Sequence, residues 1–310
     1  MYFAAGALES RWAQDEPRGD HRQRYAYSAH EDVTDAQGNV WRRKQDVTTV
    51  LLMGVDTESG SAVMDMRSGG QADFLQLIVV DRKEERVTQL QIDRDTMTPI
   101  TILGVLGEPS GVRTAQICLS HGFGDGGAQS CELTKHAVEN LLPGVEIDFY
   151  AALHVDGISV LNDWAGGVTV TLEEDLSALD PAMTAGATLT LTGDQAEIFV
   201  RSRREIGTGT NAARMQRQRA YIEGLSALLR EGLGESEAQI GALYDSIAPY
   251  LTTDMPRGRA INELWAAREY DVTTIALEGE HLVGSDGFVE FWPEEGAAES
   301  AALELLYTMR

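Results

Sequence analysis

Apolar segments of strand length limit the folds that are open to this chain. Val50–Val55 is apolar apart from Gly54, and Phe74–Val80 contains a single polar residue, Gln76. Continuous runs of this kind are typical of strands that lie inside a sheet. Arg86–Ile92 alternates polar and apolar residues, which predicts a less buried strand beside the central Phe74–Val80 strand.

Further strand patterns alternate with helical ones. We expect strands at Phe149–Val155, Val168–Leu172 and Val272–Leu277, and helices at Ser130–Leu142, Gly157–Trp164, Gly193–Arg201, Asn211–Leu229, 235–250, 256–268 and 297–309. The segment 104–129 is rich in glycine and predicts mainly loop. Alternation of strands and helices indicates an α/β fold, a three-layer α/β/α sandwich with a central mixed sheet.

The first part of the chain differs from the rest. Residues 9–24 are polar and predict a flexible stem, and Tyr25–Val33 with Val40–Val47 predicts a hairpin. We therefore divide the chain into a stem and hairpin, 1–46, and one domain, 47–310. The opening residues could be the last turns of a membrane anchor, or the start of a soluble protein. No run of about 18 or more apolar residues occurs, so the sequence as written does not span a bilayer.

Arginines are concentrated in one stretch of an acidic protein. With 49 acidic and 25 basic residues the net charge is -24, which argues against nucleic acid or an anionic membrane as a partner of the whole surface. One stretch nevertheless holds six arginines with Glu205 as the only acid: Arg201, Arg203, Arg204, Arg214, Arg217 and Arg219. Guanidinium groups bind phosphate or carboxylate oxygens two at a time. The arginines form two short groups with a Gly/Thr/Asn turn between them, which favours a polyanion site over a solvated helix face.

The helix predicted to begin with Asn211 as its N-cap separates cations from apolar residues. One face carries Arg214, Arg217 or Gln218, and Tyr221. The apolar stripe consists of Met215, Ile222, Leu225 and Leu229. We expect this stripe to be buried and the guanidinium groups to be offered to a ligand.

Carboxylates are predicted at the ends of neighbouring strands. Asp56 follows the first apolar segment, Asp73 precedes the second, and Arg94-Asp95 follows the alternating one. Open α/β sheets often bind ligands at strand ends. Two carboxylates together with phosphate oxygens suit Mg²⁺, which rarely has an all-protein cage. Either Asp alone could equally cap a turn.

These segments, in order, resemble the LytR-CpsA-Psr (LCP) family of bacterial cell-envelope phosphotransferases. The resemblance runs from about Thr49 to Gln218. The matching segments are Leu51-Leu-Met-Gly-Val-Asp56, Asp73, Arg94-Asp95-Thr96, Gly166-Gly167-Val168, Leu191-Thr-Gly-Asp-Gln-Ala196, Arg201-Ser-Arg203 and Arg214-Met-Gln-Arg217-Gln218. Each match alone is weak, whereas their joint order is specific.

The resemblance implies an enzyme that transfers a glycopolymer, such as teichoic acid or capsule, from polyprenyl pyrophosphate to peptidoglycan. It implies Mg²⁺, a catalytic domain over 47–310, and a place at the extracytoplasmic face of the membrane through an N-terminal anchor absent from this sequence. The metal ligands would be Asp56 and Asp73. Catalysis would involve Asp73, Arg94 and Asp95, with Asp73 or Asp95 taking the proton of the acceptor hydroxyl. The pyrophosphate ligands would be Arg94, Arg201, Arg203, Arg214, Arg217 and Gln218. Hydrolysis of the same pyrophosphate, or lipid or glycan binding without catalysis, are the alternatives.

Three positions depart from the family pattern. Gln71-Ala72 stands where the family often has Arg-Ser, Asp93 where it has proline, and Gln116-Ile117-Cys118 where it has Lys-Ile-Asn. The identity of the substrate is therefore open. Arg67 and Arg113 could replace missing cations.

The two cysteines, Cys118 and Cys131, are too distant in sequence for a Cys-x-x-Cys pair, and with His121 and His136 they do not complete a zinc pattern. From the residues alone, two buried thiols and one disulfide are both open. An extracytoplasmic address, together with the glycine-rich loop between them, favours the disulfide.

Overall fold

The computed structural model describes residues 32–35, 37–60, 69–104, 107–203, 209–230 and 236–310. The predicted stem, most of Tyr25–Val33, and Arg67, Arg204 and Glu205 lie outside them. The chain forms two compact units. The first comprises described residues up to Asp56, between Ser61 and Ala152, and from Asp271 onward; the second comprises Thr57–Gly60 and Leu153–Tyr270. Among the helices described, none is both long and apolar enough to cross a membrane.

A mixed sheet forms the centre of the first unit. Its strands are β3 (Val47–Val55), β4 (Ala72–Asp81), β5 (Arg86–Ile92), β8 (Phe149–His154) and β12 (Asp271–Ile275). Within this unit they lie in the order β8-β3-β4-β5-β12, with β4 antiparallel to β3 and β5, and β12 parallel to β5. Leu51, Leu77 and Leu90 are fully buried across three neighbouring strands. The prediction of an α/β fold with a central mixed sheet is confirmed.

β5 is more buried than its alternating pattern predicts. Every residue after Arg86 is buried, including the polar ones. Gln76 Nε2 donates to Gln89 Oε1 at 2.9 Å, and Gln89 Nε2 donates to Thr274 Oγ1 at 2.8 Å. These hydrogen bonds offset the cost of removing the amides from water, so the polar residues do not mark a solvated face.

Much of the segment predicted as loop is regular structure. β6 (Met97–Leu103) pairs antiparallel with β7 (Pro109–Gln116), and α1 (Leu119–Gly122) follows. Pro109 stands at the first position of its strand, where strands tolerate a missing N–H. The glycines and the proline of residues 104–129 therefore did not indicate irregular backbone. α2 (Ala128–Leu141) begins two residues before the predicted Ser130.

The remaining strands of the first unit form smaller sheets. β1 (Val33–Thr34) and β15 (Tyr307–Met309) flank β2 (Val40–Arg43). α8 (Ala297–Leu306) ends at Leu306, and not near 309 as predicted, because the chain then becomes extended and pairs with β2. β13 (Gly279–Val283) and β14 (Val289–Pro293) form a hairpin that sequence analysis missed. Asp286-Gly287 in its turn was the available signal.

The second unit is mainly helical. Its helices are α3 (Gly157–Trp164), α4 (Gly193–Arg201), α5 (Asn211–Leu228), α6 (Glu237–Ile247) and α7 (Arg257–Ala267), and its strands are β9 (Thr169–Thr171), β10 (Thr188–Thr190) and β11 (Leu251–Thr253). A core that includes Val168, Leu172 and Phe199 joins β9, α4 and α5. α3 has its predicted bounds.

A buried asparagine holds the Gly166-Gly167 turn of this unit. Asn162 is fully buried; its Nδ2 donates to Leu191 O at 2.8 Å, and its Oδ1 accepts from Val168 N at 3.1 Å. Gly166 and Gly167 have φ angles of 79° and 93°. A Cβ on Gly167 would lie 2.8 Å from Leu191 O, whereas one on Gly166 would meet nothing within 4 Å.

We expect Gly167→Ala to lower the free energy of unfolding by more than Gly166→Ala. Both substitutions force alanine into the left-handed region, but only the first adds a contact shorter than 3 Å with backbone. The difference should be at least about 1 kcal/mol, measured by urea unfolding. Equal losses for the matched pair would contradict the described packing of the turn.

Candidate functional site

Strand pairing brings Asp56 and Asp73 to the same end of two neighbouring strands. Asp56 follows β3, Asp73 is the second residue of β4, and Val55 lies opposite Ala72. Asp56 N donates to Gln71 O at 3.2 Å, and Gln71 N donates to Asp56 Oδ1 at 2.6 Å. Asp56 is exposed and Asp73 is partly buried, so both carboxylates remain accessible at this strand end.

Arg94 lies among negative groups at the same end. Its side chain is 13% exposed. Its Nη1 forms an ion pair with Asp73 Oδ1, and its Nε lies 3.4 Å from Asp95 Oδ1. Burial disfavours the charged guanidinium, but the sulfur of Cys118 and the two neighbouring carboxylates outweigh burial and raise the pKa of Arg94. The cation is therefore fully charged and held in place.

Gln71 belongs to this cluster, although its place in the sequence indicated only the loss of an arginine of the family pattern. Arg94 Nη2 donates to Gln71 Oε1, and Cys118 Sγ lies 3.9 Å from the same oxygen. The neutral amide thus serves as an acceptor for Arg94. Arg113, considered as a replacement cation, lies in β7 opposite Ile100.

Asp95 is buried and is held by three neighbours. Its Oδ1 accepts from Gln116 Nε2 at 3.2 Å, its N donates to Asp93 Oδ1 at 2.8 Å, and its carbonyl oxygen accepts from Phe291 N at 2.8 Å. Asp93 Oδ2 in turn lies 2.9 Å from His281 Nε2. Asp93 and Gln116, which both depart from the family pattern, therefore fix the turn that carries Asp95.

The predicted disulfide is wrong, because Cys118 and Cys131 are separate buried thiols. Cys118 faces Gln71, whereas Cys131 Sγ lies 4.0 Å from His121 Nε2. The two sulfurs thus face different partners. Burial raises the pKa of Cys118 to about 12, although the nearby Arg94 acts in the opposite direction.

The arginine group of the second unit consists of Arg201, Arg203 and Arg214. Arg201 ends α4, is 46% exposed, and pairs with Glu197 one turn earlier. Arg203 is half-buried. Arg214 lies buried in α5, and its Nη2 donates to Asn211 Oδ1 at 2.7 Å.

Arg217, predicted as a pyrophosphate ligand, is buried and contacts the end of α4. Its Nε donates to Phe199 O at 2.8 Å, its Nη2 donates to Ser202 O, and its Nη1 pairs with Glu174. Burial lowers the pKa of Arg217 and Glu174 raises it, with burial the larger effect. Gln218 is buried beside it. Nothing in the hydropathy pattern of the sequence pointed to these carbonyl contacts.

The face of α5 that was predicted to offer guanidinium groups to a ligand is its more buried face. Its buried residues are Asn211, Arg214, Arg217, Gln218 and Tyr221. The predicted apolar stripe of Met215, Ile222, Leu225 and Leu229 is only half-buried. Hydrogen bonds to carbonyl and amide groups make it possible to bury the polar face. The N-cap is Thr210 and not Asn211, because Thr210 Oγ1 accepts from Ala213 N at 3.2 Å.

Asp56 and Asp73 do not by themselves complete a metal site. Over the described part of the chain, no group of three or more His, Cys, Asp or Glu side chains could hold a metal. Mg²⁺ commonly binds through one or two carboxylates, with waters and phosphate oxygens as the other ligands. If these two carboxylates hold Mg²⁺, oxygens from outside the protein must therefore complete its coordination.

Comparisons with known proteins agree with this architecture. The model of the LytR_cpsA_psr family matches residues 14–299. A curated relative, polyisoprenyl-teichoic acid--peptidoglycan teichoic acid transferase TagU of Halalkalibacterium halodurans, is 29% identical over 211 residues, which are 68% of this chain and 62% of the relative. The chain thus spans less than two thirds of that relative's length.

Two solved structures have a similar fold. Protein gbs0355 from Streptococcus agalactiae superposes with a TM-score of 0.68 at 20% identity, covering 84% of this chain and 86% of that chain. TagV of B. subtilis superposes with a TM-score of 0.65 at 19% identity, covering 84% and 96%. At these identities the likeness concerns the fold alone.

We expect two free thiols in the denatured protein and slow thiol reactions in the folded one. Cys118 stays protonated at pH 8 because its pKa is about 12, and the thiolate is the reactive species. Titration with a disulfide reagent, without reductant, in buffer and in guanidinium chloride measures both states. Fewer than two thiols in the denatured protein would show a bridge, and rapid labelling of the folded protein would contradict the burial of both sulfurs.

Proposed function

Since the chain belongs to the LytR_cpsA_psr family, we propose that it transfers a glycopolymer from a polyprenyl pyrophosphate carrier to peptidoglycan. The name of the relative TagU, a polyisoprenyl-teichoic acid--peptidoglycan teichoic acid transferase, supports this donor and acceptor. On this proposal the protein works at the extracytoplasmic face of the bacterial membrane, held by an N-terminal anchor, and uses Mg²⁺.

The arginine group carries this proposal. Arg201, Arg203 and Arg214 come from one short stretch of a chain whose net charge is -24. Arg201 is 46% exposed and Arg203 is half-buried, so both guanidinium groups are open to a ligand. A pyrophosphate, with several oxygens on two adjacent phosphorus atoms, is the kind of anion that guanidinium groups bind through paired hydrogen bonds.

The proposal assigns the chemical step to the acidic strand end of the first unit. Asp56 and Asp73 would hold Mg²⁺ together with phosphate oxygens, and the ion would offset their negative charge. Arg94 would bind pyrophosphate oxygens as charge develops on the leaving group. The acceptor hydroxyl attacks the sugar-linked phosphorus, the bond from that phosphorus to the bridging oxygen breaks, and polyprenyl phosphate leaves with the bridging oxygen.

Of the two candidate bases, Asp73 is the one that an acceptor can reach. Its side chain is 24% exposed, whereas that of Asp95 is 3% exposed. Asp73 pairs with Arg94, and donor phosphates that bind Arg94 would free the Asp73 carboxylate for the acceptor hydroxyl. We therefore assign the hydroxyl proton to Asp73.

Product analysis tests the proposed reaction. The protein is incubated with a lipid-pyrophosphate glycan donor, with and without Mg²⁺ and a peptidoglycan fragment. We expect a phosphodiester between glycan and fragment, and polyprenyl phosphate, only when ion and fragment are both present. Release of glycan phosphate without the fragment would make the protein a hydrolase, and binding without any product would make it a lipid- or glycan-binding domain.

Substitution of single arginines tests whether these side chains bind the donor. Arg94→Ala, Arg201→Ala, Arg203→Ala and Arg214→Ala should each weaken donor affinity or turnover by roughly ten- to a hundredfold, since each removes charge-assisted hydrogen bonds. Lysine should restore only part of the loss, because an ammonium cannot bind two oxygens in one plane. Arg230→Ala, at an exposed position beyond the group, is the control. If all four variants behave like this control, these arginines do not bind the donor and the proposed reaction loses its main support.

Calorimetry tests the shared metal site. Because Asp56 and Asp73 leave most octahedral positions to other ligands, Mg²⁺ alone should bind weakly, and Mg²⁺ and a pyrophosphate lipid should bind cooperatively. Asp56→Asn and Asp73→Asn should remove the cooperativity, whereas Asp286→Asn in the exposed turn between β13 and β14 should not. Equally tight Mg²⁺ binding without a pyrophosphate, or unchanged cooperativity in both site variants, would contradict this assignment.

A further inference from the structure

The end of α4 has carbonyl groups that the helix itself does not satisfy. α4 ends at Arg201, and Ser202 is extended, with φ of -60° and ψ of 139°. The last carbonyl groups of a helix need partners from outside it. Ser202 N still donates to Ile198 O at 3.1 Å. The carbonyls that follow Ile198 therefore depend on other donors.

Side chains of α5 supply these donors. Arg217 Nε donates to Phe199 O at 2.8 Å, and Arg217 Nη2 donates to Ser202 O. Gln218 Nε2 donates to Val200 O at 3.3 Å. Two adjacent residues of α5 thus satisfy three carbonyls in the segment that carries Arg201 and Arg203.

The guanidinium of Arg217 is fixed within the protein. The side chain is 8% exposed, and Glu174 pairs with Nη1. At least three of its five N–H donors are therefore engaged by protein groups. A positive charge at the C-terminus of a helix also interacts favourably with the helix dipole. Arg201 differs in its exposure and in its partner, because its side chain is 46% exposed and pairs with Glu197 of its own helix.

We propose that Arg217 is a positioning residue, which fixes the backbone of Arg201-Ser202-Arg203 and does not itself bind the donor. Recognition of a pyrophosphate by two guanidinium groups needs both backbones in place, since small displacements weaken paired hydrogen bonds. This inference rests on the proposed function, and it gives one residue of the family motif a role different from ligand contact.

A double-mutant cycle separates positioning from direct contact. Binding of geranyl pyrophosphate with Mg²⁺ is measured by calorimetry for the wild type, Arg217→Ala, Arg201→Ala/Arg203→Ala, and the triple variant. If Arg217 acts through the two arginines, Arg217→Ala weakens binding by roughly tenfold in the wild type and has almost no effect in the double variant. An equal loss in both backgrounds would mean that Arg217 contacts the pyrophosphate directly and would overturn the inference. Arg219→Ala, which removes an exposed cation of the same helix, is the matched control.

Hydrogen exchange tests the same inference without any ligand. In the free protein, Arg217→Ala should speed exchange in peptides that cover residues 196–203, and Arg219→Ala should not. Arg217→Lys, which keeps a cation but not the planar fork, is used in place of Arg217→Ala if the latter does not fold. Unchanged exchange in both Arg217 variants would overturn positioning. If the Arg217 variants exchange faster but the wild type does not bind geranyl pyrophosphate, the positioning role of Arg217 holds and the proposed function is contradicted.

Discussion

Hydrogen-bonded register across β3, β4 and β5 is the constraint on which the acidic part of the candidate site depends. Leu51 pairs with Leu77, and Leu77 with Leu90, and all three side chains are fully buried. A slip of one residue would exchange the two faces of a strand and move leucines out of the core. The same register sets Asp73 beside the end of β3. The positions of the carboxylates are therefore fixed by the packing of the leucines, and not by interactions among the carboxylates.

In the second unit, buried polar side chains hold backbone segments in place beside an apolar core. Asn162 holds the Gly166-Gly167 turn through two backbone groups, and Arg217 holds the end of α4 through two carbonyls. Each such group is costly to bury alone and stabilises the fold only with its partners in place. Stability and ligand recognition are consequently coupled in this unit, because residues that complete the fold are neighbours in sequence of residues proposed to bind the donor.

The sequence predicted helices and strands correctly where local sequence signals and burial agreed. α3 has its predicted bounds, β3 and β4 were found from their apolar runs, and β5 was found from its alternating pattern. The family resemblance was confirmed, since the family model matches residues 14–299. Prediction failed where tertiary contacts outweigh composition. The β6–β7 hairpin contains glycine and proline, and the buried face of α5 is polar because its partners are distant in sequence.

In the candidate site too, the sequence predicted what local structure determines and missed what tertiary contacts determine. Asp56 and Asp73 were placed correctly at strand ends, since strand boundaries alone determine this. The Gln71–Arg94 hydrogen bond and the separate surroundings of the two cysteines depend on segments that come together only in the fold. A motif gives the identity of a residue, whereas its hydrogen-bond partners decide whether it faces a ligand or the backbone.

The parallel pairing of β12 with β5 also determines the order in which the chain can fold. Gln89 and Thr274, hydrogen-bonded across these strands, are separated by 185 positions. Residues 153–270 of the second unit are continuous in sequence, so their contacts can form as soon as this stretch has been synthesised. The first unit cannot complete its sheet until Asp271–Ile275 has emerged, and until then the edge of β5 is open to pairing with other chains. Synthesis therefore passes through a stage in which the later unit can be folded while the earlier one is still incomplete.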